Sequence, residues 1–353
     1  MQIGIPKEIK PLESRVSLLP AAVKELTQQG HSVYVETGAG IGSGYADADY
    51  VTAGACISDR AEALYGACEL IVKVKEPISD DLALLRPEHI LFSYLHLAAL
   101  PDLTQQLQDI GLTAIGFETL EVNNSLPLLA PMSDIAGRLS AQIGAQLLQK
   151  PQGGKGLLLG GLPGAERGKV VILGGGVAGS SAALVSSSLG AQVTVFDRNR
   201  DKLERLRALG VNVTGLYSYS DAIAEAVSSA DLLIGAILVT GQRAKQLVSE
   251  SMVKTMQAGS VIIDIAVDQG GCIETTRPTD YRDPTFIRHD VVHFGVTNMP
   301  GAVPKSASQA LSAVLFPWVA RLAQESWRED KQLVGAINVE AGKICHSGLQ
   351  KSQ

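Results

Sequence analysis

A glycine run, one aspartate and three charged or titratable side chains at the ends of apolar segments carry the chemistry this sequence can do. The run Gly174-Gly175-Gly176-Val177-Ala178-Gly179 is a G-x-G-x-x-G that follows apolar residues 170–173 and opens the helical stretch 180–189. In that context Gly174 permits a tight turn, Gly176 lets the backbone approach a pyrophosphate, and Gly179 lets the helix pack on the strand. The first helical residues, Val177 and Ala178, then aim their amides at the phosphates. Asp197 closes the next apolar segment, where a carboxylate accepts a hydrogen bond from a ribose 2′-hydroxyl and repels a 2′-phosphate. NAD is therefore favoured over NADP, with the neighbouring Arg198 pulling the other way. A glycine turn beside a solvated aspartate is the plain alternative.

Lys75 ends the segment 70–75 and His96 follows the segment 90–95, so both belong to the carboxyl rim of one sheet. Asp268 follows residues 260–267, and Gln269-Gly270-Gly271 after it allows the chain to reverse sharply. An imidazole takes and gives protons near neutral pH, an ammonium binds carboxylates, and a carboxylate stabilises a developing cation. Each has a bland reading: a structural histidine, a solvated lysine, a turn-capping aspartate. Tyr94, two residues before His96, shares its strand face as far as the strand extends. Asp264, in mid-strand, reads as structural.

These residues need elements to hold them. Strand-like runs at 2–5, 31–36, 70–75, 90–95 and 113–118 alternate with helical stretches, and the alternation resumes with stronger runs at 169–173, 192–196, 231–238, 260–266 and 291–296. Two long helical patterns, 134–150 and 306–324, flank the second set, and residues 337–345 read as a terminal hairpin. The expectation is an α/β protein of two doubly wound Rossmann-like domains. Residues 131–304 form a nucleotide domain inserted into a domain made of 1–130 and 305–353, with a cleft between them that closes on the dinucleotide.

Composition excludes several classes. Thirty basic against 36 acidic side chains leave a net charge of -6 over 353 residues, with no basic block for nucleic acid. No apolar run reaches the roughly 18–20 residues of a membrane span, and the first residues lack a signal peptide, so the cytosol is the default location. The four cysteines, Cys56, Cys68, Cys272 and Cys345, are scattered. They suggest neither a disulfide framework nor a metal site and read as buried small apolar residues.

Beyond these single features, the chain resembles the family that contains alanine dehydrogenases and the nucleotide-binding subunit of proton-translocating transhydrogenase. The resemblance rests on Ile3-Gly4-Ile5-Pro6-Lys7-Glu8 with Glu13-Ser14-Arg15-Val16, Val74-Lys75-Glu76-Pro77, Tyr94-Leu95-His96-Leu97-Ala98, and residues 128–133. It continues through Asp268-Gln269-Gly270-Gly271-Cys272 and Asn298-Met299-Pro300-Gly301. It implies NAD-dependent, reversible oxidation of L-alanine to pyruvate and ammonia, with Arg15 and Lys75 on the substrate and His96 and Asp268 as catalytic groups. It also implies that Ser133, Asp197, Lys202, Ser218, Val239, Asn298 and Met299 join Gly174, Gly176, Val177, Ala178 and Gly179 around the dinucleotide, that Met132 walls the pocket, and that the assembly is a homo-hexamer. Residues 239–243 and Thr297 depart from the usual family pattern. The rival reading is the NAD(H)-binding subunit of a transhydrogenase, against which the Tyr-Leu-His-Leu segment counts.

Overall fold

Runs of Val, Ile and Leu with no polar face form strands covered on both sides, and here they assemble into two sheets. The computed structural model describes residues 1–237 and 246–350. The chain divides into two units, Met1–Met132 with Val303–Gln353, and Ser133–Ala302.

The sheet of the first unit has the order Lys343–Ile344, Ile337–Glu340, Thr113–Gly116, Ile90–Ser93, Leu70–Val72, Gln2–Ile5, Ser32–Glu36, Cys56–Ser58. Its central pairs are parallel, and the terminal hairpin adds two antiparallel strands at one edge. Leu64, Ile71, Leu91, Leu107 and Val339 fill the core on one face. The strands expected over 70–75 and 90–95 stop at Val72 and Ser93. Beyond those points two further backbone bonds, Lys73 N–H to the Phe92 carbonyl and Tyr94 N–H to the Val74 carbonyl, still link the segments, while Val74 N–H donates to Glu8 and the amides of Leu95 and His96 donate to Glu118. Lys75 and His96 thus sit on rim loops rather than on strands.

In the second unit the order is Thr285–Arg288, Val291–Phe294, Val261–Asp264, Leu232–Gly235, Lys169–Leu173, Gln192–Asp197, Val213–Tyr217. The strand before the glycine run is central, and the chain winds outward from it in both directions, the doubly wound plan whose ligand site lies beyond the carboxyl ends. Three short strands were not legible in advance: Cys56–Ser58, Val213–Tyr217 and Thr285–Arg288. All are edges, partly exposed, so their residues lack the continuous apolar signature.

Cys68 and Cys272 are buried as expected, but Cys56 and Cys345 are exposed. The first lies on an edge strand and the second just beyond the terminal hairpin, where no layer covers them.

Candidate active site

Lys75 is carried by a loop that buried charges hold from below. Lys73, 1% exposed, lies 3.1 Å from Asp81 and 3.6 Å from Glu8. Glu8 accepts the N–H of Val74 at 2.7 Å and of Lys75 at 3.4 Å, while Asp81 accepts the N–H of Ile78 at 3.2 Å and the Tyr65 hydroxyl at 2.9 Å. Both ends of the segment bearing Lys75 are therefore tied to carboxylates that share one ammonium. Burial works against the Lys73 cation, but Glu8 and Asp81 outweigh it and hold its pKa above the usual lysine value. Lys75 goes the other way. Burial lowers its pKa, Glu76 opposes from 3.9 Å, and Arg15 and Lys10 reinforce the lowering. Glu76 is itself paired with Lys10 and is held below the usual carboxylate range, because Lys75, Lys10 and His96 outweigh its burial.

Arg15 is 3% exposed and grips Glu13 with its side edge, Nε to Oε1 at 2.7 Å and Nη2 to Oε2 at 2.5 Å. Burial disfavours the guanidinium, and Glu13 more than restores it. Nη1 points to the Met132 sulfur at 3.2 Å, so the expected wall residue does adjoin the arginine. Fixing one edge by a bidentate pair orients the other edge of the fork.

His96 adopts φ 52°, a left-handed conformation costly for a residue with a Cβ. Glu118 accepts both the His96 N–H, at 2.6 Å, and the Leu95 N–H, at 3.1 Å, and so maintains the turn. Strand alternation does not govern this segment, since the strand ends at Ser93. The left-handed turn nevertheless lays the imidazole parallel to the Tyr94 ring, centroids 6.0 Å apart at 13°. Tyr94 is anchored by its hydroxyl on the Leu128 carbonyl and by an edge contact with Phe117. The first unit thus brings together Arg15, which acts directly on Lys75, and Lys75 and His96, which both act on Glu76.

In the second unit the helix Val177–Ser188 begins directly after the glycine run, with Gly176 as its N-cap and no capping side chain. Gly174 has φ 99°, and a Cβ on Gly179 would come within 1.8 Å of the Gly174 carbonyl oxygen. Protein geometry explains these two glycines. It does not explain Gly176, whose Cβ would meet nothing within 4 Å. Open space above a bare helix start fits a pyrophosphate closing on the backbone. Asp197 ties the loop with one oxygen, accepting the Gly175 N–H at 2.7 Å, and accepts the Asn199 N–H at 2.8 Å with the other. Lys202 stands 3.8 Å from it. Ser218 follows the neighbouring strand, whose Tyr217 is in register with Asp197.

Ser133 lies on the helix Ala130–Leu147, which meets the nucleotide helix closely: Asp134 accepts the Ser181 hydroxyl at 2.6 Å, and a Cβ on Gly137 would strike the Ala178 carbonyl. Asp268 is exposed on the 3-10 turn Val267–Gln269, followed by Gly270 and Gly271 at φ 92° and 64°. Asn298 is half-buried beside Met299, whose carbonyl accepts the Tyr281 hydroxyl at 2.9 Å. Val239 and the departures at 240–243 lie outside the described residues.

Two family models match in sequence order: the alanine dehydrogenase/PNT N-terminal domain over residues 4–136 and the C-terminal domain over 140–347. The chain belongs to the alanine dehydrogenase/PNT family. Alanine dehydrogenase from Geobacillus stearothermophilus is 48% identical over 99% of this chain and 95% of its own. That from Mycobacterium tuberculosis is 48% identical over 93% and 89%. A solved L-alanine dehydrogenase superposes with a TM-score of 0.96 at 52% identity, covering 100% of this chain and 99% of its own. A transhydrogenase from Sinorhizobium meliloti gives 0.85 at 25%, covering 98% and 99%. Within the alanine dehydrogenase/PNT family the chain is thus far more similar to the dehydrogenase branch.

Sequence reasoning missed the carboxylates that hold the site: Glu8, Glu13, Glu76, Asp81 and Glu118. Glu8, Glu13 and Glu76 lie inside the segments that carry the family resemblance. Most of these carboxylates stand beside other charged or polar residues, as in Lys7-Glu8, Lys75-Glu76 and Asp80-Asp81, so a single sequence does not distinguish them from solvated acids.

Proposed function

We propose that this protein catalyses the reversible, NAD-dependent oxidative deamination of L-alanine to pyruvate and ammonia. One observation carries the reading: in a chain that matches both domain models of the alanine dehydrogenase/PNT family, two cations and an imidazole, Arg15, Lys75 and His96, lie within electrostatic reach of one another. The nicotinamide, when bound, takes up the hydride from Cα of alanine. Arg15, its side edge held by Glu13, presents the other edge of the guanidinium to the substrate carboxylate. Lys75 adds a second positive charge on that carboxylate.

His96 takes a proton from the water that adds to the iminium carbon, returns it to the departing amine, and then accepts the hydroxyl proton as the carbinolamine collapses to the ketone and ammonia. Asp268 is assigned to the amine side, where its carboxylate favours the iminium cation; orienting the water and acting as a base are the alternative roles. Gly174, Gly176, Gly179 and the amides of Val177 and Ala178 are assigned to the pyrophosphate and Asp197 to the ribose. Lys202, Ser218, Val239, Ser133, Asn298 and Met299 complete the dinucleotide site. The carboxylate of Asp197 favours NAD over NADP. The family resemblance implies a homo-hexamer, and the cytosol is the location the sequence composition favours.

The test is NADH appearance at alkaline pH with L-alanine and NAD, beside glycine, L-serine and NADP. Turnover with L-alanine and NAD is expected. Tight NADH binding with no turnover of any amino acid would overturn this reading in favour of a transhydrogenase-like subunit.

A further inference from the structure

Asp264 lies at the last residue of its strand, not in the middle of one. It is fully buried and takes no part in the chemistry described above. Its carboxylate is a knot. One oxygen accepts the Ala266 N–H at 3.2 Å; the other accepts the Cys272 N–H at 3.1 Å and the Thr276 hydroxyl at 2.9 Å. The segment between those amides carries Asp268 at its turn, and it is closed internally by Gly271 N–H on the Ala266 carbonyl at 3.0 Å. A single side chain thus holds both ends of the loop.

The surroundings are shaped to this carboxylate. A Cβ on Gly271 would approach its Oδ2 to 2.5 Å, and one on Gly235 would approach its Oδ1 to 3.0 Å and the Cys272 sulfur to 2.6 Å. The donors, which also include the Ile273 amide, are neutral, and burial pushes the carboxyl pKa up to about 6. A buried charge without a cation is a costly way to tie a loop. An asparagine of the same shape avoids that cost, but it offers one acceptor oxygen and an NH2 that faces donors. Only a carboxylate accepts at both ends, so the arrangement trades stability for a fixed loop.

We propose that Asp264 is a positioning residue, its carboxylate setting the loop 265–272 so that Asp268 is presented in one conformation. The proposal rests on the reading of Asp268 as a catalytic group, and its test separates the two. D264N keeps the size and removes one acceptor. We expect it to fold, to melt no lower than the parent near neutral pH, and to keep the KM for NADH within about twofold. We expect kcat for pyruvate amination to fall at least about tenfold, since small misplacements of a reacting group cost up to about a hundredfold. Amide exchange at residues 266–272 rises at least about tenfold while the rest of the unit is unchanged.

T276V, which removes one donor and leaves the charge, gives a smaller fall, and T276S restores it. This series decides the matter if D264N does not fold. A kcat within twofold of the parent in folded D264N, or unchanged exchange in the loop, overturns the proposal. So does activity lost only in proportion to folded protein. If the parent itself turns over no amino acid, the functional reading fails, and the exchange measurement still decides whether Asp264 holds the loop.

Discussion

The glycine run of the second unit positions its amides by backbone shape, whereas the Lys75 and His96 loops of the first unit are held by carboxylates from distant parts of the chain. In the first case the determinants are contiguous: φ 99° at Gly174 and the close approach of Gly179 to Gly174 lie within six residues. In the second, Glu8 reaches Val74, 66 residues away, and Glu118 reaches His96, 22 away. A backbone-built site tolerates change around it and little within it. A charge-built site depends on carboxylates remote in sequence from the residues they hold.

The largest effect expected from this contrast is on chemistry alone. If His96 carries the proton as proposed, His96→Ala should lower kcat by about 10²–10⁴-fold, while NADH binding, assigned above to the glycine run, should stay within twofold. Steady-state rates beside fluorescence titration of NADH read both. A kcat within tenfold of the parent would remove His96 from the acid/base role.

Next in size is the buried triad. Lys73→Met leaves Glu8 and Asp81 without their shared cation, and breaking a buried pair costs about 3–5 kcal/mol. Urea unfolding should register a loss of that order, with the pyruvate KM raised as the Lys75 loop loosens. A loss below about 1 kcal/mol would mean that the carboxylates find other partners, and that the first unit is less charge-built than the distances imply.

The same contrast explains what was legible in the sequence. The glycine run with Asp197 could be read because its chemistry requires a fixed order of strand, loop and helix, and the doubly wound sheets followed from alternating apolar runs. Lys75 and His96 were placed on the rim from strand ends, but both strands stop short because Glu8 and Glu118 capture backbone donors, and nothing near Val72 or Ser93 in sequence announces that. The left-handed turn at His96 was likewise hidden: glycine or asparagine signals such a turn, and histidine does not. Edge strands such as Val213–Tyr217 escaped because exposure erases the apolar pattern that marks a strand.

The glycines sharpen the backbone side. Gly179→Ala forces a Cβ to within 1.8 Å of a carbonyl and should lower both melting temperature and NADH affinity. Gly176→Ala meets no protein atom within 4 Å, so the melting temperature should hold. NADH affinity should still fall by about tenfold, or about 1.4 kcal/mol, because the added methyl occupies ligand space. Equal NADH affinity in Gly176→Ala would mean that the pyrophosphate does not approach there.

The smallest effect tests the charge side by pH. Burial, Arg15 and Lys10 lower the pKa of Lys75, and Glu76, ionised near neutrality, works against them. Glu76 and, more weakly, Glu13 favour the ammonium; Glu76→Gln removes the larger of the two, so the Lys75 pKa must fall further. The charged form then disappears at a lower pH. If Lys75 holds the substrate carboxylate, the alkaline rise in the KM for pyruvate begins at lower pH in Glu76→Gln than in the parent, while the KM for NADH keeps its own pH dependence. A rise that stays where it was would detach Lys75 from carboxylate binding and leave Arg15 as the sole anchor. A shift shared equally by NADH would show that the charges of the first unit also govern the nucleotide, and the division of labour between the two units would fail.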